Sequence, residues 1–328
     1  MKKHSLLLLA VFSAIVNLSA QTGNVGINTT TPLAMLHVKD SSVLFQGATS
    51  LPGTPGNPPI SSSGIRMMWY SDKAAFRAGY LNSSNSTKEK IGAYSFAAGY
   101  DPTARGEESI ALGVDVIADS LICIAIGAAA KAYSVQDVSI GSFTVAQGGW
   151  STAIGYEAKT TGRVTVAMGR SVVARAYNSV VVGCNNDSIG SSSLSSWVST
   201  DPIFIIGNGS SSISRSNAMT VLKNARTGIN TSTPLAMLHV ENGDALFRGA
   251  TILPGTPGNP PTSGQGIRMM WYQDKAAFRA GYVSSTQWDK DSIGDYSFAT
   301  GESNKAKGKY AAAFGISNNV SGWGSAAM

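Results

Sequence analysis

The sequence predicts an all-β chain, a parallel β-roll with a 14-residue coil joined to small β-hairpin modules. Three observations predict it. Gly99, Gly113, Gly127, Gly141, Gly155, Gly169 and Gly183 follow one another at a constant step of 14 residues. Short alternating apolar runs lead into that row, as in Ser109-Ile110-Ala111-Leu112-Gly113, Cys123-Ile124-Ala125-Ile126-Gly127 and Thr152-Ala153-Ile154-Gly155. No stretch carries the apolar stripe of an amphipathic helix, and a helical solenoid needs about 33 to 47 residues per unit.

The chain opens on Lys2 and Lys3, then an apolar run from Leu6 to Val16, then Leu18-Ser19-Ala20 before Gln21. A basic start, a short apolar stretch and small residues at a cleavage point read as a secretory signal peptide over 1–20. The run is shorter than the ~20 apolar residues that span a bilayer, and no later segment is apolar enough to serve as a transmembrane helix. The expected location is therefore outside the cytoplasm, at the cell surface, in the outer membrane or free in the medium.

Residues 21–93 form a first β module. Leu51–Ser63 is a Pro/Gly/Ser loop unsuited to regular strand or helix. Ile65–Tyr70 and Ala74–Tyr80 read as a hairpin turning at Ser71-Asp72-Lys73. Residues 94–187 form the roll, as seven coils. Alternation over four or five residues gives one short strand, and the glycine that ends it suits a turn needing positive φ. A second short strand, as in Thr144-Val145-Ala146 or Val172-Val173-Ala174, ends at a parallel row of small residues: Gly106, Ser120, Ser134, Gly148, Gly162 and Ala176. Stacked at ~4.8 Å, seven coils make a rod segment of that order of rise per coil. So small a coil encloses little core, which accounts for Ala111, Ala125, Ala153 and Ala167 as inner positions. The residues between them are also apolar, and strands buried on both faces read this way. The second face is thus expected to pack on another chain.

The unit S-I-A-L-G-x-x-x-x-A-x-x, present as Ser109–Ser120 and more loosely as Ser151–Gly162, resembles the head repeat of trimeric autotransporter adhesins, the YadA-like head. The resemblance covers roughly Tyr94–Asp187 and Tyr296–Met328. It implies a left-handed parallel β-roll, three chains in one head and an adhesive, non-enzymatic role. Upstream, Val25-Gly26-Ile27-Asn28-Thr29-Thr30-Thr31-Pro32 followed by Leu36-His37-Val38 resembles the opening motif of tail-fibre-like surface proteins.

Residues 188–222, rich in Ser, read as an insertion or linker. Beyond them the chain repeats itself. LPGTPGNPP at Leu51–Pro59 recurs at Leu253–Pro261, GIRMMWY at Gly64–Tyr70 recurs at Gly266–Tyr272, and DKAAFRAGY at Asp72–Tyr80 recurs at Asp274–Tyr282, all at an offset of 202. Residues 223–294 are therefore the second copy of the module and 295–328 a second roll, with Gly301 and Gly315 in the glycine row. The next row position falls one residue beyond Met328, so the natural chain is expected to continue.

Little in the chain points to catalysis. Among three His, His4 lies in the leader, and His37 and His239 are one position in two copies, each inside Leu-His-Val. A zinc site needs three or four ligands together. No phosphate-binding G-x-x-x-x-G-K-[ST] occurs. Ser109, Ser151 and Ser179 share one repeat position and read as structural. The roll's carboxylates, Asp101, Glu107, Glu108, Asp115, Asp119, Asp137, Glu157 and Asp187, fall at scattered repeat positions, whereas an acid/base pair must converge. The expectation is no enzyme, no cofactor and no metal. Six basic residues in the roll (Arg105, Lys131, Lys159, Arg163, Arg170, Arg175) against eight acidic ones exclude a nucleic-acid stripe. The +6 net charge of the 328-residue chain is too thinly spread to define a partner. Cys123 and Cys184 stand more than four coils apart, roughly 20 Å, against the about 7 Å a bridge allows, so no disulfide joins them. Trp69, Tyr70, Trp271 and Tyr272 are the candidates for a binding surface, with the hairpin core as their competing role.

The functional expectation is a secreted or cell-surface adhesin-like protein, a homotrimer acting through a repetitive β-roll on an extracellular protein or glycan. A phage-tail-like fibre with its chaperone or anchor further along the chain is the alternative. A β-helical carbohydrate enzyme ranks below both, because it needs clustered carboxylates.

Overall fold

The computed structural model describes residues 24–328; the expected signal peptide lies outside them. Short strands, turns and irregular loops make up the described residues, with three-residue 3-10 turns as the helical pieces. Two compact units divide between Glu241 and Asn242, inside the second copy of the module rather than ahead of it.

In the first unit Val25–Ile27 pairs in parallel with Leu36–Val38. The hairpin joins Gly64–Tyr70 to Ala75–Leu81 in antiparallel register, Trp69 opposite Phe76. Its turn is the 3-10 segment Ser71–Lys73, closed by Ala74 in the left-handed region. The returning strand is then the first rung of the roll, because Ala75–Leu81 pairs in parallel with Phe96–Tyr100. From there each five-residue strand pairs with the one 14 residues on, Phe96–Tyr100 with Ile110–Val114 and so on to Val166–Arg170 with Val180–Cys184. Two-residue strands such as Ile117–Ala118 and Lys131–Ala132 stack beside them in a second parallel sheet.

The glycine row is in register throughout, and it is longer than the sequence step reveals. Gly79 stands opposite Gly99 and Gly183 opposite Gly207. The row's role differs from the expected turn. From Gly99 to Gly183 each glycine is the fourth residue of its five-residue strand, at φ of +131° for Gly99 and +127° for Gly141. The turn comes two residues later, at left-handed residues that are not glycine: Asp101, Asp115, Ala129, Phe143, Glu157 and Ser171. A second left-handed row includes Tyr94, Glu108, Ile122, Gln136, Trp150 and Val164. Such φ is strained for ordinary side chains. It persists because each corner N–H donates to the preceding coil, as Ala129 to Val114 O at 2.8 Å and Glu157 to Ser142 O at 2.9 Å. Stacking overrides local preference.

Four inward positions per coil fill the interior, and all are small. Ala111, Ala125, Ala153 and Ala167 are fully buried, as expected; so are Ala118, Ala132, Ala146 and Ala174 on the short strands and Val116, Ala130, Ala158 and Val172 between them. The fourth row is polar. Ser109 and Thr165 each return their hydroxyl to a carbonyl three residues back, Gly106 O at 2.6 Å and Gly162 O at 2.7 Å. The row thus satisfies the backbone where the coil bends.

At the hairpin end an Arg occupies the inward alanine position, since Arg77 pairs with Ala97. It is 1% exposed. Its guanidinium donates to Phe76 O, Ser95 O, Ser95 Oγ and Ala104 O at 2.8, 3.1, 2.8 and 2.9 Å. Burial pushes its pKa down to about 10, so it stays charged at neutral pH. Arg279 repeats these contacts in the second unit.

The Ser-rich stretch 188–222, expected as an insertion or linker, carries two strands. Pro202–Asn208 continues the parallel stack on Val180–Cys184, and Asn217–Leu222 turns back antiparallel to it. Thr227–Ile229 of the second module copy then pairs with Asn217–Leu222, so the opening motif of copy two closes the first unit's sheet. The serines themselves are held by backbone bonds, Tyr177 N to Ser193 O and Arg163 N to Leu194 O. Lys223 lies over the Trp197 and Tyr177 rings at 5.0 and 5.7 Å. Composition signals solvent-tolerant residues but not the apolar Ile203-Phe204-Ile205-Ile206 run that docks them.

The second unit repeats the arrangement. Gly266–Tyr272 and Ala277–Val283 form the hairpin, and Phe298–Glu302 and Ala312–Ile316 continue the parallel stack with Gly281, Gly301 and Gly315 in register.

Candidate binding surfaces

The four aromatic candidates separate by strand alternation. Tyr70 and Tyr272 face inward, 2% and 1% exposed, and their hydroxyls donate to Gly56 O and Gly258 O of the Pro/Gly loops. They pin the loop to the hairpin and are not free to bind. Trp69 and Trp271 face outward, 37% and 38% exposed. Each lines an apolar cleft between hairpin and loop. The first, of about 620 Å3, is walled by Phe45, Pro59, Met67 and Phe76; the second, of about 520 Å3, by Phe247, Pro261, Met269 and Phe278.

Register extends the outward face of the hairpin along the roll. Opposite Met67 stands Ala78, then Ala98, Leu112, Ile126, Ile140, Ile154, Met168 and Val182 in one unbroken line. Beside it Phe76 and Phe96 stack at 5.2 Å and lead on to Ile110, Ile124 and Val138. Leu112, Ile126, Ile140 and Ile154 are half-buried, Phe96 and Met168 exposed. The sequence shows an apolar residue on either side of each inner alanine; only the register lines them up into a continuous ribbon.

The reactive residue types do not converge. His37 Nδ1 accepts from Leu33 N at 3.2 Å, and His239 from Leu235 N at 3.4 Å, closing the same turn in both copies. Asp101 accepts from Asn82 and Asn85, and Asp119 pairs with Arg105. Cys123 is buried in the roll, donating to Ser134 O at 2.9 Å, and Cys184 lies at the last coil; both are free thiols.

Asp137 is the one carboxylate of the roll's interior, in the row held elsewhere by Ser, Cys or Thr. It is fully buried. It accepts from Gly149 N, Ser151 N and Ser151 Oγ at 3.0, 3.1 and 2.7 Å, and from Ser134 N at 2.9 Å. Burial raises its pKa above the ordinary carboxylate value, and these donors work against the rise. A raised folded pKa means that unfolding releases a proton, so this group's contribution is fully present below its unfolded pKa of about 3.9 and is lost as pH rises from there through the raised folded value. Asp137→Ser is expected to cost about 1 to 3 kcal/mol through the N–H groups it strands. Urea midpoints for both proteins would show a larger difference below about pH 4 than near neutrality. A pH-independent difference would remove the buried carboxyl from that account.

The sequence reading passed over Arg77 and Arg279. Their signal was a charged residue at the inward parity of an otherwise apolar strand, repeated at the module offset. It also passed over Tyr296, Tyr310 and Trp323, which gather on one corner of the second roll, because single aromatics do not stand out from turn residues until the coils stack.

Among known families, the YadA head domain repeat matches residues 146–171, with two copies. That segment holds the strands Thr152–Tyr156 and Val166–Arg170 of the roll. No curated protein matches the chain.

Proposed function

We propose that the protein is an exported, surface-exposed adhesin-like protein that works as a homotrimer, holding a repetitive β-roll outward to contact an extracellular protein or glycan. The observation that carries this reading is the unbroken apolar ribbon from Met67 to Val182 on the outer face of the roll. A contiguous apolar ribbon left half-exposed along one chain marks an interaction site, and identical ribbons on identical chains favour closed symmetric assembly. The YadA head repeat over 146–171 supports three as the number of chains. The scattered carboxylates and the hydrogen-bonded serines and histidines support binding rather than catalysis. Repetition along a rigid head gives many weak contacts at once, and avidity supplies the strength.

Light scattering after size exclusion tests the assembly, on the chain from Gln21 onward. The expected mass is three chains. Ile126→Lys, Ile140→Lys and Ile154→Lys combined would place three buried ammonium groups in each copy of the ribbon and reduce the mass to one chain, with the β-type circular dichroism retained. A wild-type monomer would sink the homotrimer.

A further inference from the structure

The duplication gives the molecule an internal comparison, because two modules with the same hairpin and the same buried Arg differ on their surface. On one corner of the second roll Tyr296 and Tyr310 stack at 5.1 Å with an interplanar angle of 9°. Trp323 meets Tyr310 edge-on at 5.5 Å. All three rings are exposed, Tyr296 and Tyr310 at 47%. Lys309 Nζ lies 5.7 and 5.3 Å from the two Tyr centroids. Lys309 also lines an open polar cleft of about 460 Å3 with Asp291, Asp295, Lys307 and Lys275. Lys275 is spent on Lys290 O and Ile293 O, which leaves two ammonium groups and two carboxylates facing the cleft.

At the 202-residue offset the first roll keeps Tyr94 but has Glu107 for Lys309, Glu108 for Tyr310, Ala93 for Asp295 and Leu121 for Trp323. Its Arg105, in the place of Lys307, is tied to Asp119. The ledge and its polar cleft therefore belong to the second copy alone, on a backbone both copies share: Glu108 and Tyr310 have φ of 56° and 61°.

We propose that this corner of the second roll is a binding site for a neutral polysaccharide. Sugar rings present apolar C–H faces that rest on exposed aromatic side chains and hydroxyls that need donors and acceptors in alternation. Tyr and Trp offer the first through an apolar body with a polar tip. Lys307 and Lys309 donate, and Asp291 and Asp295 accept. With two ammonium groups against two carboxylates the cleft carries no net charge to attract a polyuronate, and it suits an uncharged chain. The proposal rests on the adhesin-like reading in naming that reading's ligand class.

Affinity electrophoresis of the full protein through gels containing hydroxyethyl cellulose, mannan or starch, with alginate as the acidic polymer, tests it. Retardation is expected in at least one neutral polymer and not in alginate alone. The double variant Lys309→Glu, Tyr310→Glu installs what the first roll already carries, so the fold tolerates it. It should weaken retardation about tenfold in apparent Kd, equivalent to about 1.4 kcal/mol. Glu107→Gln with Glu108→Gln in the first roll should leave retardation unchanged. Migration unaffected by every neutral polymer, retardation by alginate alone, or equal retardation of wild type and Lys309→Glu, Tyr310→Glu would each overturn the site. The light-scattering mass is indifferent to these changes. A three-chain protein without retardation would discard the polysaccharide and keep the homotrimer.

Discussion

Gly141→Ala is expected to abolish completion of the first roll. Gly141 lies at φ +127° in mid-strand. A Cβ there would sit 1.9 Å from Gly155 O, 2.9 Å from its carbonyl carbon and 3.1 Å from its nitrogen. All three are backbone atoms of the next coil, which is itself held by the coil beyond. The coil cannot yield without breaking the stack on both sides. Strain at a disfavoured φ costs about 1 to 3 kcal/mol, and overpacking a further about 1 to 3 kcal/mol. Together, at about 2 to 6 kcal/mol, these reach the lower end of the stability of an ordinary domain. The measure is the soluble yield and the thermal midpoint against Gly190→Ala, where a Cβ meets nothing within 4 Å and the change should be nearly silent. Equal midpoints for the two variants would mean that coils move apart freely, and the tight parallel stack would be wrong.

Arg77→Ala is expected to destabilise the first unit by about 3 kcal/mol or more, from the cavity left by a long buried side chain and the loss of its charge-assisted hydrogen bonds. Arg77→Lys should recover only part of this, because an ammonium lacks the planar fork that reaches Ser95 and Ala104 together. Arg279→Ala should do the same in the second unit, where Ser297 and Ala306 hold the equivalent contacts. Denaturant midpoints report the loss. A fall below about 1 kcal/mol for Arg77→Ala would class the guanidinium as a passenger rather than a plug, since surface substitutions sit in that range.

Much of the fold is legible in the residues because a repeat states the same fact many times. The step of 14 from Gly99 to Gly183 identifies one coil, and the alanines between apolar neighbours identify its inside. The duplicated DKAAFRAGY segment identifies the hairpin as a module. Legibility ends where one position has no repeat to average over. Residues 188–222 look like an insertion or linker by their serines, yet Pro202–Asn208 is one more rung of the stack. The candidate site is less legible. Trp69 and Tyr70 are adjacent in sequence, and strand alternation sends one outward and the other into the core.

Sequence alone determined the strand class, the coil length, the small interior and the duplication, because these follow from residue size and spacing along the chain. Tertiary structure alone decided what the glycines are for, since a clash with the next coil's carbonyl exists only once coils stack. It also decided where the long surface features lie. The ribbon from Met67 to Val182 and the ledge of Tyr296, Tyr310 and Trp323 are made of residues a full coil or nearly so apart, brought side by side by the hydrogen bonds of neighbouring rungs.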